Sequence, residues 1–286
     1  MSLNLKDEIF SCSKRTSVFG IFSYLWVWFS AALFACFFGF LHRTNNDSTT
    51  PRPKGEQGPL RIFWELWVWL TGAYAAVYFG MLNRTKIDSA GGIQLDGNCV
   101  IVSNHISNLD PALIVIAILA YHPKCFVRPL TKAELFQIPI VRSILRHLGC
   151  IPVRRDGTDI SGMRKISEII KMENVLIFPE GMRSMDGNLL SGKRAVGRVI
   201  HWSKPKIIPA AVWGTHEAMP KGAFIPRIRK RFGVRFGPPL DMEALYDMPI
   251  TKESSQNIVK CIMEAIDTIK MELESEGKAV QIKGNS

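Results

Sequence analysis

The chain has 286 residues, 47% of them hydrophobic, and 36 Lys and Arg against 25 Asp and Glu give a net charge of +11. A mean hydropathy of +0.08 excludes a disordered chain, a collagen-like chain and a multi-pass membrane protein, and the length suits one mid-sized domain with an appendage. The charge is uneven, because residues 124–235 carry 22 basic and 8 acidic side chains whereas residues 236–286 carry 5 and 9.

Two uncharged runs dominate the front of the chain. Residues 18–41 hold 24 residues without a charge, and a helix of that length measures ~36 Å, enough to cross a bilayer. Residues 66–82 form a second uncharged run of 17 residues, and a polar linker containing proline, residues 45–59, separates the two. The pattern predicts an N-terminal apolar helical hairpin for the membrane within residues 1–86.

The sequence leaves open whether this hairpin spans the bilayer or dips into one leaflet. Basic residues stand on both sides of each run, so the positive-inside rule gives no clear orientation. Trp26 and Trp28 lie near the middle of the first run, whereas spanning helices place Trp at the interfaces, and this favours one leaflet. Burial in a soluble core is the weaker alternative, because apolar residues surround the whole helix circumference.

From about residue 91, short β-branched runs alternate with helical stretches. This alternation predicts an α/β domain over residues 87–286, with a mixed, largely parallel sheet flanked by helices. Functional side chains in such sheets collect in loops beyond the strand ends. The predicted strands are residues 99–103, 124–128, 150–153, 175–178, 206–212 and 233–236, and the predicted helices are residues 111–121, 140–148, 161–172, 193–203 and 254–275.

The loop after the first predicted strand carries His105 and Asp110. Asp110 directly precedes Pro111 and an apolar helix, which is the residue type and position of a helix N-cap. A carboxylate that reaches the imidazole would fix its tautomer and leave the other nitrogen free to take a proton. The five-residue spacing requires the loop to fold back, and the alternative is a capping Asp110 beside an unrelated loop histidine.

A second loop follows the predicted strand at residues 175–178 and presents Glu180, Gly181, Arg183 and Ser184 together. An arginine, a hydroxyl and free backbone N–H groups in a glycine turn suit a phosphate monoester. Alternatively, Glu180 and Arg183 pair with each other at the surface.

Together the two loops resemble the motifs of one known family. NHISNLD at residues 104–110 resembles the NHx4D box of the glycerolipid acyltransferases, and FPEGMRS at residues 178–184 resembles their FPEGTRS box, with Met182 in place of threonine. Residues 149–155 and 207–212 are similar to the second and fourth blocks of that family, and residues 131–136 to its Lys-x-Glu-Leu stretch. The resemblance covers residues 90–240.

This resemblance implies transfer of a fatty acyl group from a thioester donor to the free hydroxyl of lysophosphatidic acid, giving phosphatidic acid. Glycerol 3-phosphate or another lysolipid is the alternative acceptor. The donor would be acyl-CoA or acyl carrier protein thioester, with no permanently bound cofactor and no metal. His105 would act as the general base and Asp110 would orient it. The phosphate would be held by Glu180, Gly181, Arg183, Ser184, Arg155 and Lys132.

Residues 124–235, here called the basic block, indicate which partners the protein binds and where it is located. Anionic lipid headgroups suit it better than nucleic acid, because no helix-turn-helix, RNA-binding signature or zinc motif accompanies it. The six cysteines are scattered without a CxxC pair, which is typical of reduced thiols. We therefore expect a membrane protein with its catalytic domain on the cytoplasmic face. A non-catalytic lipid-binding protein at the membrane surface is the alternative, disfavoured because His105 and Asp110 are both present.

Overall fold

The computed structural model describes residues 77–89, 95, 98–122, 125–138, 141–142, 145–146, 149–154, 159–223 and 225–283. The predicted membrane hairpin lies outside the described residues except at its end, where Val77–Leu82 forms a π-helical turn. In the part of the chain that is described, no helix combines the length and the apolar character needed to cross a bilayer.

In the described residues, seven strands form one sheet in the order β1-β7-β6-β2-β5-β3-β4. All neighbouring strands run parallel except β6 and β7, which confirms the mixed, largely parallel sheet. The strands are β1 (Arg84–Ser89), β2 (Cys99–Ser103), β3 (Val127–Lys132), β4 (Ile151–Val153), β5 (Asn174–Ile177), β6 (Lys206–Trp213) and β7 (Arg231–Phe236).

Helices cover both faces of the sheet. Asp159 caps the second helix by accepting a hydrogen bond from the Gly162 N–H at 2.8 Å, and Thr251 and Ser254 exchange reciprocal bonds where the last helix begins. The helices are α1 (Asp110–Tyr121), α2 (Ile160–Ile170), α3 (Arg194–Ser203), α4 (Thr215–Ala218), α5 (Glu243–Tyr246) and α6 (Lys252–Lys283), with a 3₁₀ turn at Ala133–Gln137.

Alternate residues of a strand point to opposite faces of the sheet and pack in two separate hydrophobic layers. In β2, Ile101 points into the layer shared with α1 and the π-helical turn, whereas Val100 and Val102 point into the layer shared with α2, α3 and α6. This two-sided burial explains why β2 is apolar at nearly every position. The C-terminal helix α6 therefore buries one of its faces against the sheet, with Ile258, Ile262 and Ile266 in the second layer.

The sequence pattern does not predict β1, and it places the start of β3 too early in the chain. β1 has the sequence RTKIDS, in which only Ile87 is apolar, so it carries no strand-like hydrophobic pattern. It is held at the sheet margin by β7 and by the buried Arg235, whose guanidinium lies 2.7 Å from Asp88 and 2.6 Å from Glu276. β1 crosses residue 86, where the first domain was expected to end. β3 begins at Val127, three residues after the predicted start at residue 124.

The parallel strands β2 to β6 all end at one edge of the sheet, here called the carboxyl edge. The register places Ser103 beside Ala210, and Val102 beside Ile177, so the loops after β2, β5 and β6 leave the sheet next to one another. Because β7 is antiparallel to β6, with Trp213 opposite Gly233, β7 and its partner β1 begin at this same edge.

Candidate active site

The loop after β2 folds back onto the first turn of α1, as a His105–Asp110 pair requires. Nδ1 of His105 lies 2.9 Å from Oδ2 of Asp110. The same carboxylate oxygen accepts hydrogen bonds from the backbone N–H groups of Ile106 and Ser107, each at 2.7 Å. The loop is thus wrapped around the carboxylate, which is completely buried.

The expectation that Asp110 is a helix N-cap is wrong. Leu109 occupies the cap position, with φ −79° and ψ −20°, and Asp110 is the first residue of α1. The Asp110 side chain turns back toward the amides of the preceding loop, so it organises that loop instead of capping the helix that follows.

Thr215 is a site residue that the sequence analysis missed. Its buried hydroxyl donates a hydrogen bond of 2.6 Å to Oδ1 of Asp110, across 105 residues of chain. Gly214, with φ +81°, makes the turn after β6 that delivers Thr215, and a Cβ there would overlap the carbonyl of Arg231. A threonine after a strand is common, so only the fold shows that it meets the carboxylate.

These contacts determine which nitrogen of His105 is free. Two backbone amides and a hydroxyl all donate to Asp110, so its carboxylate acts as an acceptor and Nδ1 of His105 donates to it. Nε2 then carries the lone pair. The His105 ring stacks on Phe178 with centroids 4.1 Å apart and an interplanar angle of 20°, and 12% of the side chain is exposed. The arrangement leaves one basic nitrogen on an otherwise fixed ring.

Glu180 clamps the backbone of the first loop. Its Oε1 accepts from the N–H of His105 at 2.7 Å and its Oε2 from the N–H of Leu190 at 3.0 Å. Burial raises the pKa of Glu180 to about 7, with the Asp110 charge acting in the same direction against the two amide bonds. Both carboxyl oxygens therefore accept hydrogen bonds from the backbone, and among the described residues Glu180 is not paired with Arg183.

Ser184 and Arg183 complete the second loop. The Ser184 N–H donates to the carbonyl of His105 at 2.8 Å, and its hydroxyl donates to Asp186 at 2.8 Å. Gly181 turns the loop with φ +71°. Arg183 is half-buried, and within the described ranges its buried Nη1 has no hydrogen-bond partner. His105 is thus held by the second loop at both its N–H and its carbonyl.

Another predicted phosphate ligand, Lys132, lies farther along the same edge. Lys132 ends β3, is paired in register with Val153 of β4, and has its Nζ 3.5 Å from Glu134 on an exposed surface. Arg155 lies outside the described residues. Across the described ranges, no group of three His, Cys, Asp or Glu side chains could hold a metal ion.

Known proteins resemble this chain in the region that contains the two loops. Residues 83–213 match the family model described as Acyltransferase. That range includes both loops and stops just before Thr215. The chain is 32% identical over 131 residues to the 1-acyl-sn-glycerol-3-phosphate acyltransferase LPAT1, chloroplastic, of Arabidopsis thaliana, covering 45% of this chain and 35% of that protein. It is 28% identical over 131 residues to the enzyme BAT2, chloroplastic, of Brassica napus, which bears the same activity name, covering 45% and 36%.

The chain thus spans about a third of the length of these two curated relatives. Among solved structures, the 1-acyl-sn-glycerophosphate (LPA) acyltransferase PlsC of Thermotoga maritima superposes with a TM-score of 0.56 at 20% identity, covering 88% of this chain and 96% of that one. This likeness shows the same fold.

Proposed function

We propose, from the match of residues 83–213 to the Acyltransferase family model and from the similarity to two 1-acyl-sn-glycerol-3-phosphate acyltransferases, that this chain acylates lysophosphatidic acid to phosphatidic acid. The acyl group would come from a thioester. The observation that carries the proposal is the bond of 2.9 Å between Nδ1 of His105 and Asp110, which leaves Nε2 free at the carboxyl edge.

The pair supplies a general base. Nε2 of His105 takes the proton of the lysolipid hydroxyl as the oxygen attacks the thioester carbonyl carbon. The C–S bond of the resulting tetrahedral intermediate then breaks, and the imidazolium returns its proton to the leaving thiolate. Asp110 holds the ring and stabilises its positive charge throughout. The products are an ester and a free thiol, with no covalent acyl-enzyme.

The second loop suits the acceptor phosphate. The partnerless Nη1 of Arg183 is a donor that a phosphate oxygen would satisfy. We assign phosphate binding to Arg183 and the Gly181 turn, with Ser184, Lys132 and Arg155 as further donors by resemblance to the family. For Glu180 the two backbone contacts favour positioning of His105 over direct binding.

The proposed reaction needs an acyl donor and places the enzyme at a membrane. Acyl-CoA or acyl carrier protein would bring the acyl group, and residues 1–86 would anchor the α/β domain of residues 87–286 to the cytoplasmic face of a membrane. The two uncharged runs and the basic block of residues 124–235 support this arrangement.

A different acceptor is the second candidate. Met182 stands where the family box has a threonine, and 44% of it is exposed beside the phosphate loop. The loss of that hydroxyl favours testing glycerol 3-phosphate and other lysolipids alongside lysophosphatidic acid.

The His105→Ala variant tests the proposed chemistry. With the purified full chain in vesicles, transfer of a labelled acyl group to lysophosphatidic acid should fall by ~10²–10⁴-fold, the usual contribution of a positioned general base. Binding of lysophosphatidic acid should persist, because His105 does not hold the phosphate. His122→Ala is the matched control, since His122 lies at the far end of α1. Near-normal transfer by His105→Ala would rule out the base role.

A further inference from the structure

An exposed surface at the carboxyl edge combines apolar and basic side chains. Met81 and Ile228 are 81% and 52% exposed, unusually open for large apolar residues. We call this surface the edge patch. Its members are Val77, Met81, Leu82, Ile225 and Ile228, with Arg84, Arg227, Arg229 and Lys230.

Two segments of chain are joined to build the edge patch. The Arg229 N–H donates to the carbonyl of Leu82 at 2.8 Å, and the Arg84 N–H donates to the carbonyl of Lys230 at 2.9 Å. Asn83, which is buried, accepts from the Lys230 N–H at 2.8 Å. These bonds fix the exposed side chains on an ordered backbone, so their exposure is a property of the folded domain.

Aromatic packing holds the patch from beneath. Tyr78 and Phe79 are buried, and the ring centroid of Phe79 lies 5.7 Å from that of Phe232 in β7. The Tyr78 hydroxyl donates to the carbonyl of Arg227 at 3.0 Å. The core beneath the patch thus contains Tyr78, Phe79 and Phe232, and the exposed apolar side chains lie outside it.

The charge of the patch is positive. Four of its residues are basic, and among the described residues only Lys230 is paired with a carboxylate, that of Glu217 at 3.6 Å. Apolar side chains ringed by Arg and Lys complement a bilayer whose surface carries anionic headgroups.

A cavity beside the patch adds a second feature. It has a volume of about 400 Å³, and its lining includes Arg84, Lys86, Trp213, Arg231 and Glu276. Lys86 is paired with Glu276 at 2.7 Å. Arg231 has a buried Nη1 without a hydrogen-bond partner in the described part of the chain. This donor would be satisfied by an anionic oxygen such as that of a lipid phosphate or carboxylate.

The edge patch lies at the same edge of the sheet as the candidate active site. The segments before β1 and before β7 lie at the carboxyl edge, where the loops of His105 and Thr215 also leave the sheet. A flat surface that contacts the patch would therefore lie along the edge that carries the candidate active site.

We propose that the edge patch seats the α/β domain on the surface of an anionic bilayer. Met81 and Ile228 enter the headgroup region, and the surrounding arginines contact anionic headgroups. Val77, Met81, Leu82 and Arg84 of the patch fall within residues 1–86, so the contact adds the residues before β7 to any anchoring by that segment. It does not depend on acyl transfer. Its role is to orient the carboxyl edge toward the membrane.

A site-specific fluorescence measurement on the full chain tests this contact. Ile228→Cys is labelled with an environment-sensitive fluorophore, and Met172→Cys is the matched control. Met172 is 67% exposed and lies just before β5, at the opposite edge of the sheet. Unsubstituted protein labelled in the same way gives the background from the six native cysteines. The vesicles contain nitroxide-labelled phosphatidylcholine, either without an anionic lipid or with about 30 mol% phosphatidylserine.

We expect the label at residue 228 to be quenched several-fold more strongly in anionic than in neutral vesicles, while the label at residue 172 stays unquenched in both. Adding Arg227→Glu and Arg229→Glu should abolish the difference, because one cation near an anionic surface is worth roughly fivefold in partitioning.

Three results would overturn the proposal. The label at residue 228 could remain as unquenched as that at residue 172. It could be shielded from aqueous iodide without lipid quenching, which would show that protein, such as residues 1–76 or a second copy, covers the patch. Equal quenching in neutral and anionic vesicles, unchanged by the charge reversals, would contradict an anionic partner.

Discussion

At the scale of single residues, the Asp110 carboxylate organises the site. Its two oxygens accept from His105, from two loop amides and from Thr215, which fills the acceptor capacity of the group. A fully buried carboxylate is stable only when such donors surround it. The same donors fix its position, so the orientation of His105 depends on buried contacts to Asp110.

Thr215 gives a direct test of this dependence. Thr215→Val keeps the side-chain shape but leaves Oδ1 of Asp110 against a methyl group. The bond to a charged acceptor is worth ~1.5–3 kcal/mol, so we expect kcat for acyl transfer to fall by roughly tenfold or more. KM for lysophosphatidic acid should be unchanged, because Thr215 is fully buried and its hydroxyl is bonded to Asp110.

Thr215→Ser is the control for that prediction, since it restores the hydroxyl and should recover most of kcat. Thermal unfolding of both variants separates loss of orientation from loss of fold. A Thr215→Val enzyme with normal kcat, or a Ser variant as impaired as the Val variant, would show that the hydroxyl does not position the pair.

At the level of secondary-structure elements, a side chain extends the hydrogen bonding between two strands. Asn104, just past the end of β2, donates to the Val212 carbonyl at 3.0 Å and accepts from its N–H at 2.8 Å, so an amide side chain continues the ladder between β2 and β6. α3 and α6 then pack behind the sheet at close range. At Gly197 a Cβ would overlap the backbone carbonyl of Ser255.

Gly197→Ala should therefore destabilise the domain. The obstacle is backbone, which moves less readily than a side chain, and overpacking of this kind costs ~1–3 kcal/mol. We expect a lower Tm in detergent, with transfer activity per folded molecule retained at low temperature. Gly80→Ala is the matched control, because nothing lies within 4 Å of a Cβ built there. Equal Tm values for the two variants would contradict the close helix contact.

The elements also show how far sequence reasoning extends. The strands of the parallel part were predictable because two-sided burial makes them apolar, and the His105–Asp110 pair could be proposed because only five positions separate the two residues in the sequence. β1 was not predictable, since its partners Arg235 and β7 are distant in sequence and its own residues are polar. For the same reason the contact of Thr215 and the backbone role of Glu180 depend on the fold, as neither residue type signals its partner.

In the molecule as a whole, basic side chains and the candidate active site lie at the carboxyl edge of the sheet. The net charge of +11 conceals a basic block at residues 124–235. That block contributes Lys132, Arg183, and Arg227 and Arg229 of the edge patch, all placed by the strand directions at the carboxyl edge or in the loops at that edge. The proposed anionic acceptor and the proposed anionic surface would account for both groups of cations with one arrangement.

Acyl transfer to lysophosphatidic acid is the proposed reaction, and a donor-by-acceptor matrix tests it. Purified full chain in vesicles would be offered acyl-CoA or acyl carrier protein thioester with lysophosphatidic acid, glycerol 3-phosphate or lysophosphatidylcholine. We expect labelled phosphatidic acid from at least one donor, with lysophosphatidic acid as the fastest acceptor. Acylation of another acceptor while lysophosphatidic acid is ignored would contradict the assigned substrate, and no transfer in any combination would contradict the assigned reaction.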